Sequence, residues 1–220
     1  MKKELTELVF ILDKSGSMSG LEKDTIGGYN AFVEKQKGGE GDVLVSTVLF
    51  SDRHEVIHDR VPLEEIEKMT EEDYSVGGCT ALLDAVGRAI KHIGNIHKYA
   101  REEDCPEKTI FVITTDGEEN SSHEYSYPEL KKMIGRQQEK FGWEFIFLGA
   151  NIDAVAEASK LGIRRDRSVR YECDGEGTRL NFACLGAAIS NFRAGLQIGE
   201  NWMSDIEEYH EHKKLNKKAK

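Results

Sequence analysis

Asp13, Ser15 and Ser17 stand one residue apart in the stretch DKSGSM, directly after the apolar run 8–12. One carboxylate and two hydroxyls on a tight turn are hard oxygen donors, the ligand type that Mg2+ and similar cations prefer. Alone they make a thin site. Thr80, behind Gly77 and Gly78, offers a third hydroxyl, and Asp116, at the end of TIFVITTD and before Gly117, offers a second carboxylate. Two carboxylates and three hydroxyls suit a divalent cation that keeps some of its waters. Each piece also has an ordinary use. Residues 15–19 suit the capping of a following helix, Thr80 suits the N-cap of a helix from Ala81, and Asp116 suits a turn before Gly117. The metal reading therefore depends on whether the three segments meet.

The elements that must bring them together are legible as alternating strand and helix signals. LTELVFILD reads as a strand, and 21–37 carries apolar residues at helical spacing. DVLVSTVLFSD and RHEVIHDRVPL read as a hairpin. Residues 63–73 form an acidic helical or irregular segment, SVGGCT a loop, and ALLDAVGRAIKHIGNI an amphipathic helix. Residues 109–116 form a buried strand. YPELKKMIGRQQEKF is a helix with Pro128 in its first turn, where the missing N–H costs nothing. WEFIFLGA is a strand, DAVAEASKLG a helix, RSVRYEC a short strand and GTRLNFACLGAAISNFRAGL a helix. This order predicts an α/β fold in three layers: a doubly wound, mostly parallel six-stranded sheet with one antiparallel edge strand, the segment 54–61. In such folds ligands bind at the carboxyl ends of the strands near the switch in strand order. The loops after residues 12, 78 and 115 all fall there.

Competing motifs fail. The run from Asp13 matches an EF-hand loop at its first, third and fifth positions, but Met18 replaces the required glycine and Asp24 stands where glutamate belongs. A phosphatase with a strand-end Asp nucleophile wants a second Asp two residues on, and Ser15 stands there. Neither GxxxxGK[ST] nor GxSxG occurs. His54 and His58, four apart, read as surface residues on one face of the edge strand. Glu118, Glu119 and Asn120 flank Asp116 as a solvated acidic loop or as hydrogen-bonding support for a metal site.

DKSGSM resembles the DxSxS motif of von Willebrand factor A (VWA, integrin I-like) domains. The resemblance extends to Thr80 in GGCTALLDAV and Asp116 in VITTDGEEN, in the same order and at similar intervals, over about residues 6–200. It implies a Rossmann-like fold and a metal-ion-dependent adhesion site (MIDAS) holding Mg2+ or Mn2+ at Asp13, Ser15, Ser17, Thr80 and Asp116. The two serines, and in one conformation the threonine, are implied to bind directly, with the aspartates often acting through water. A protein partner's Asp or Glu carboxylate is implied to complete the shell. The implied role is a protein-binding module of bacterial, intracellular type, working in a larger assembly or in a stress or defence system. An Mg2+-dependent phosphohydrolase and a metal-stabilised structural domain are the alternatives. No nucleophile–base pair stands out beside the five residues, so no enzymatic activity is expected.

Bulk properties agree. The chain has 220 residues, with 40 Asp and Glu against 30 Lys and Arg, and a formal net charge of -10. An acidic surface opposes nucleic-acid binding, which relies on clustered Lys and Arg. No apolar run approaches the roughly 20 residues that span a bilayer. The apolar run near the N-terminus falls short of the about 7 to 15 residues of a signal-peptide core. Cys79, Cys105, Cys173 and Cys184 show no CxxC pair or zinc spacing and read as free cytosolic thiols. A cytoplasmic location follows, with one VWA-like domain over 1–204 and a charged tail over 205–220.

Overall fold

The computed structural model describes residues 1–218. Its six strands are β1 (Lys2–Asp13), β2 (Val43–Phe50), β3 (His54–Pro62), β4 (Pro106–Thr115), β5 (Glu144–Ala150) and β6 (Ser168–Tyr171). The helices are α1 (Glu22–Lys37), α2 (Leu82–Tyr99), α3 (Tyr127–Phe141), α4 (Ala154–Lys160), α5 (Gly175–Arg193) and α6 (Ser204–Lys218). The strands form one sheet in the order β3-β2-β1-β4-β5-β6. Among the described residues only the β2–β3 pairing is antiparallel. The doubly wound fold expected from the sequence is the one observed.

β1 is central because both of its faces are apolar. Leu8, Phe10 and Leu12 point into one core with Tyr29 and Phe32 of α1 and Leu185 and Ile189 of α5. Val9 and Ile11 point into the other with Val86 and Ile90 of α2 and Leu130 and Ile134 of α3. The period of two along a strand makes this division automatic. β4 and β5 divide the same way, with Ile110, Val112, Ile146 and Leu148 on the first side and Phe111, Ile113, Phe145 and Phe147 on the second. In-register pairing of Leu12 with both Leu49 and Thr114 ends β1, β2 and β4 at nearly the same level. The loops that follow them therefore emerge side by side, where the strand order switches from β1–β2 to β1–β4.

α3 begins with a capping box, Ser126 and Glu129 closing on each other around Pro128. Within 63–73 only Leu63–Glu65 makes a helical turn, of 3-10 type, and the remainder is irregular. The charged segment from 205 forms most of α6. Ile206 is buried against the first core, Tyr209 reaches Asp174, and His210 bonds Glu172 at 2.6 Å. Residues 219–220 of the expected tail lie outside the described residues. No helix among the described residues is long and apolar enough to cross a membrane.

The sequence reading of His54 and His58 needs correction. β3 pairs Val56 with Val48 but His58 with Thr47, so Ile57 is the extra residue of a β-bulge. The bulge breaks the alternation that would put the two histidines on one face. His58 turns toward Tyr29, its Nδ1 3.5 Å from the hydroxyl, whereas His54 feels Arg88 and His92 of α2. Both are half-buried, and burial pushes both imidazoles toward the neutral form.

Candidate metal centre

Asp13 is the last residue of β1, and Lys14 N still donates to Phe50 O at 2.7 Å. The chain then turns on its own side chain. Ser15 N donates to Asp13 Oδ1 at 2.7 Å, and a short 3-10 turn, Gly16–Met18, follows with Met18 buried as its anchor. The loop after residue 74 locks onto this turn through Gly77 N to Lys14 O at 2.8 Å and Gly16 N to Gly78 O at 3.0 Å. Gly78 must be glycine there. Its φ is +83°, and a Cβ would lie 2.1 Å from Asp52 Oδ1. Asn120, beyond β4, clamps Thr80 from both sides, accepting from Thr80 N at 2.9 Å and donating its own N–H to Thr80 O at 3.1 Å.

The three loops bring all five predicted residues together. Ser15 Oγ lies 3.0 Å from Ser17 Oγ, and Ser17 Oγ donates to Asp116 Oδ1 at 2.5 Å. Thr115 Oγ1 donates to Asp13 Oδ2 at 2.6 Å, joining β1 to β4 across the site. A Cβ built on Gly117 would sit 2.9 Å from Thr80 Oγ1, 3.0 Å from Ser17 Oγ and 3.8 Å from Ser15 Oγ. Three hydroxyls from two loops thus surround one small space beside Asp116.

The helix-capping uses of the three hydroxyls are not the ones observed, while Asp116 does stand in a bend before Gly117. α1 has Leu21 at its N-cap and α2 has Ala81, both without a side-chain cap. Ser15, Ser17 and Thr80 are therefore not engaged as caps of those helices. Helix α2 is capped instead from the far loop. Glu119 accepts from Leu83 N at 2.9 Å, and Ser122 Oγ accepts from Asp84 N at 3.1 Å. Asp84 returns the tie by accepting from the N–H groups of His123, Glu124 and Tyr125 at 2.9 to 3.0 Å. Burial works against the Asp84 carboxylate, but these three donors outweigh it and hold its pKa below the usual range. Of the flanking residues, Glu118 is exposed, while Glu119 and Asn120 hold the loops in place. Sequence reasoning missed Thr115, Tyr74 and Asp84. Tyr74 is buried and donates to Asp13 O, a contact between loop and strand end that no local pattern encodes.

The electrostatics favour a cation. Burial pushes the Asp13 carboxyl up, against hydrogen bonds from Thr115 and Ser15. Burial also pushes Asp116 up, and the Asp13 charge adds to the shift. Asp116 Oδ2 is buried with no hydrogen-bond partner among the described residues. Such an orphaned acceptor costs free energy unless something positive meets it. Among the described residues no group of three or more His, Cys, Asp or Glu side chains is placed to hold a metal. This site differs in kind, since hydroxyls supply three of its five donors. That donor set fits a hard divalent cation.

A doubly wound sheet with an oxygen-lined site at its switch point defines a class of α/β folds. Within it, the arrangement is that of the VWA fold. No family model matches the chain, and no curated protein matches it in sequence. Solved structures do match. Proximal thread matrix protein 1 from the mussel byssus superposes with a TM-score of 0.60 at 16% identity, covering 84% of this chain and 46% of that one. The same protein with a zinc-occupied MIDAS motif matches at a TM-score of 0.59 and 14% identity, with the coverage again 84% and 46%. A von Willebrand factor type A protein from Catenulispora acidiphila matches at 0.56 and 17% identity, covering 84% of this chain and 42% of that one. The chain thus spans less than half the length of these structures.

Proposed function

We propose that this chain is a metal-ion-dependent protein-binding module and not an enzyme. Asp13, Ser15, Ser17, Thr80 and Asp116 would hold Mg2+ or Mn2+. The observation that carries the reading is the convergence of three hydroxyls on one space beside a buried carboxylate oxygen that has no partner among the described residues. The zinc-occupied MIDAS motif of the mussel protein supports a divalent cation at the corresponding place in the fold. Bound there, the cation supplies a Lewis-acid position for an incoming oxygen. The chain's formal charge of -10 repels acidic ligands at long range, so one local cation gives an acidic group a reason to dock at this point. The partner is accordingly a protein that presents an exposed Asp or Glu to the loops after residues 13, 78 and 116. A binding role is also supported by Lys14, which is tied to Glu55 at 2.5 Å and not poised as a catalytic cation. The four cysteines are free thiols, which suits the reducing cytoplasm, the setting of this proposal.

The test is thermal unfolding of the chain with increasing MgCl2 or MnCl2, alongside Asp13→Ala and Asp116→Ala. A ligand that binds only the folded state raises its stability by mass action. The melting temperature should rise with metal in the wild type and not in either variant. An equal rise in all three would remove the site. Capture of partners with and without EDTA then tests the binding role, and capture indifferent to EDTA would make the metal purely structural.

A further inference from the structure

A second concave site lies at the opposite edge of the sheet, where the parallel strands begin. It is a half-open hollow of about 260 Å3 between Lys108 of β4, Glu144 at the start of β5, Arg164 and Arg167 before β6, and the turn that follows α5. Its apolar wall is formed by Phe192, Leu196 and Ile198. Gly195, at φ +82°, lets that turn pass Lys108, whose Nζ is 3.8 Å from where a Cβ would stand. The volume lies just below the range of about 300–1,000 Å3 usual for ligand pockets, so only a small ligand fits.

The cations are held in place without being used up. Lys108 Nζ donates one of its three hydrogens to Arg193 O at 2.6 Å. Arg167, only 7% exposed, uses Nε on Glu144 and Nη1 on Asp166, which leaves Nη2. Arg164 uses Nε and Nη2 on Asp166, which leaves Nη1. Asp166 is itself fixed by Trp202 Nε1, which donates to its backbone oxygen at 3.0 Å. Three cations against Glu144 and Asp166 leave one surplus positive charge, in a chain whose net charge is -10. Beside it Leu196 is 60% exposed and lines the same hollow as Phe192 and Ile198. The cavity therefore joins a cationic end to an apolar wall.

We propose that this cavity binds a small organic anion, a carboxylate or phosphate joined to an apolar group of about the size of a benzene ring. Guanidinium and ammonium groups recognise the oxyanion. The apolar part covers Leu196 and Phe192, contributing about 25 cal/mol per Å2 removed from water. The site lies at the end of the sheet away from the candidate metal centre, so its occupancy does not depend on the cation.

Calorimetric titration of the full chain in EDTA tests this. The probes are benzoate and phenyl phosphate, with acetate and inorganic phosphate as heads lacking the apolar part. Benzoate or phenyl phosphate should bind at least about tenfold more tightly than the matching bare head, a difference of ~1.4 kcal/mol. Benzoate ahead of phenyl phosphate identifies a carboxylate ligand, and the reverse order a phosphate. Arg164→Ala and Leu196→Ser should each weaken binding about tenfold without lowering the melting temperature, since both side chains are 60% exposed. Lys108→Met should weaken it too, although it also removes a hydrogen bond to the end of α5. Absence of binding by both aromatic probes at about 10 mM, or unchanged affinity in Arg164→Ala and Leu196→Ser, would overturn the proposal.

Discussion

Gly117→Ala places one methyl group among the hydroxyls of the candidate metal centre. Gly117 does not adopt a positive φ, so alanine fits its backbone. The new Cβ would lie 2.9 Å from Thr80 Oγ1 and 3.0 Å from Ser17 Oγ, both at side-chain ends that yield by a few tenths of an ångström. Overpacking of this kind costs about 1–3 kcal/mol, and the stiffer unfolded chain returns about 0.4–1. The metal-free variant should therefore fold, with at most roughly 2.6 kcal/mol lost. The metal response should change far more. At 100 times Kd, Mg2+ stabilises the wild type by about 2.7 kcal/mol. In a domain of this size that is a rise of about 5–11 °C, at about 2–4 °C per kcal/mol. The methyl group takes the space the cation needs and spreads its ligands, so the rise should vanish. Scanning fluorimetry with and without saturating MgCl2 measures it. Gly77→Ala is the matched control, because a Cβ there meets nothing within 4 Å. A Gly117→Ala protein that keeps the full Mg2+-induced rise would refute the placement of the cation among Ser15, Ser17 and Thr80.

Three further outcomes are expected. Thr80→Ala should weaken Mg2+-dependent partner binding by at least about tenfold, ~1.4 kcal/mol, while the metal-free melting temperature stays nearly constant; equal affinity for wild type and variant would place the partner on another surface. The purified chain with Mg2+ should release no phosphate from a panel of phosphoesters, and steady release that disappears in Asp13→Ala would make it an enzyme. Asp84→Asn should cost about 1.5–3 kcal/mol at pH 7, because a carboxylate there accepts three backbone N–H bonds. The Asp84 pKa lies below its unfolded value of about 3.9, so its contribution is complete above that pH and is lost as pH falls through the folded value. Denaturant unfolding at a series of pH values should show the gap between wild type and Asp84→Asn constant above about pH 4 and closing below it; a gap that widens in acid would contradict the assignment.

The alternation of strands and helices was legible in the sequence because burial has a local signature. A strand buried on both faces is an unbroken apolar run, as at Leu8 to Leu12, and a half-buried helix repeats near every fourth residue. The five candidate ligands were legible too, since Asp13, Ser15 and Ser17 lie in one turn and Thr80 and Asp116 sit beside glycines at loop positions. Their meeting was legible only as an expectation from the inferred sheet, which puts the three loops at one edge; the atomic fit was not. It rests on the pairing of Leu12 with Thr114 and on backbone bonds between residues 14–16 and 77–78, which join segments more than 60 positions apart. Only that convergence separates a metal site from helix caps, because a hydroxyl's role is set by what stands within about 3 Å of it. The same limit hid Tyr74, Thr115 and Asp84, whose partners are distant in the chain. It also misplaced His54 and His58, because the bulge at Ile57 depends on the partner strand and shifts the period that sequence reading assumes. The cavity at the far edge has the least local signature. Lys108, Arg164 and Leu196 carry no common motif, and they become neighbours only because parallel strands start, as well as end, on one level.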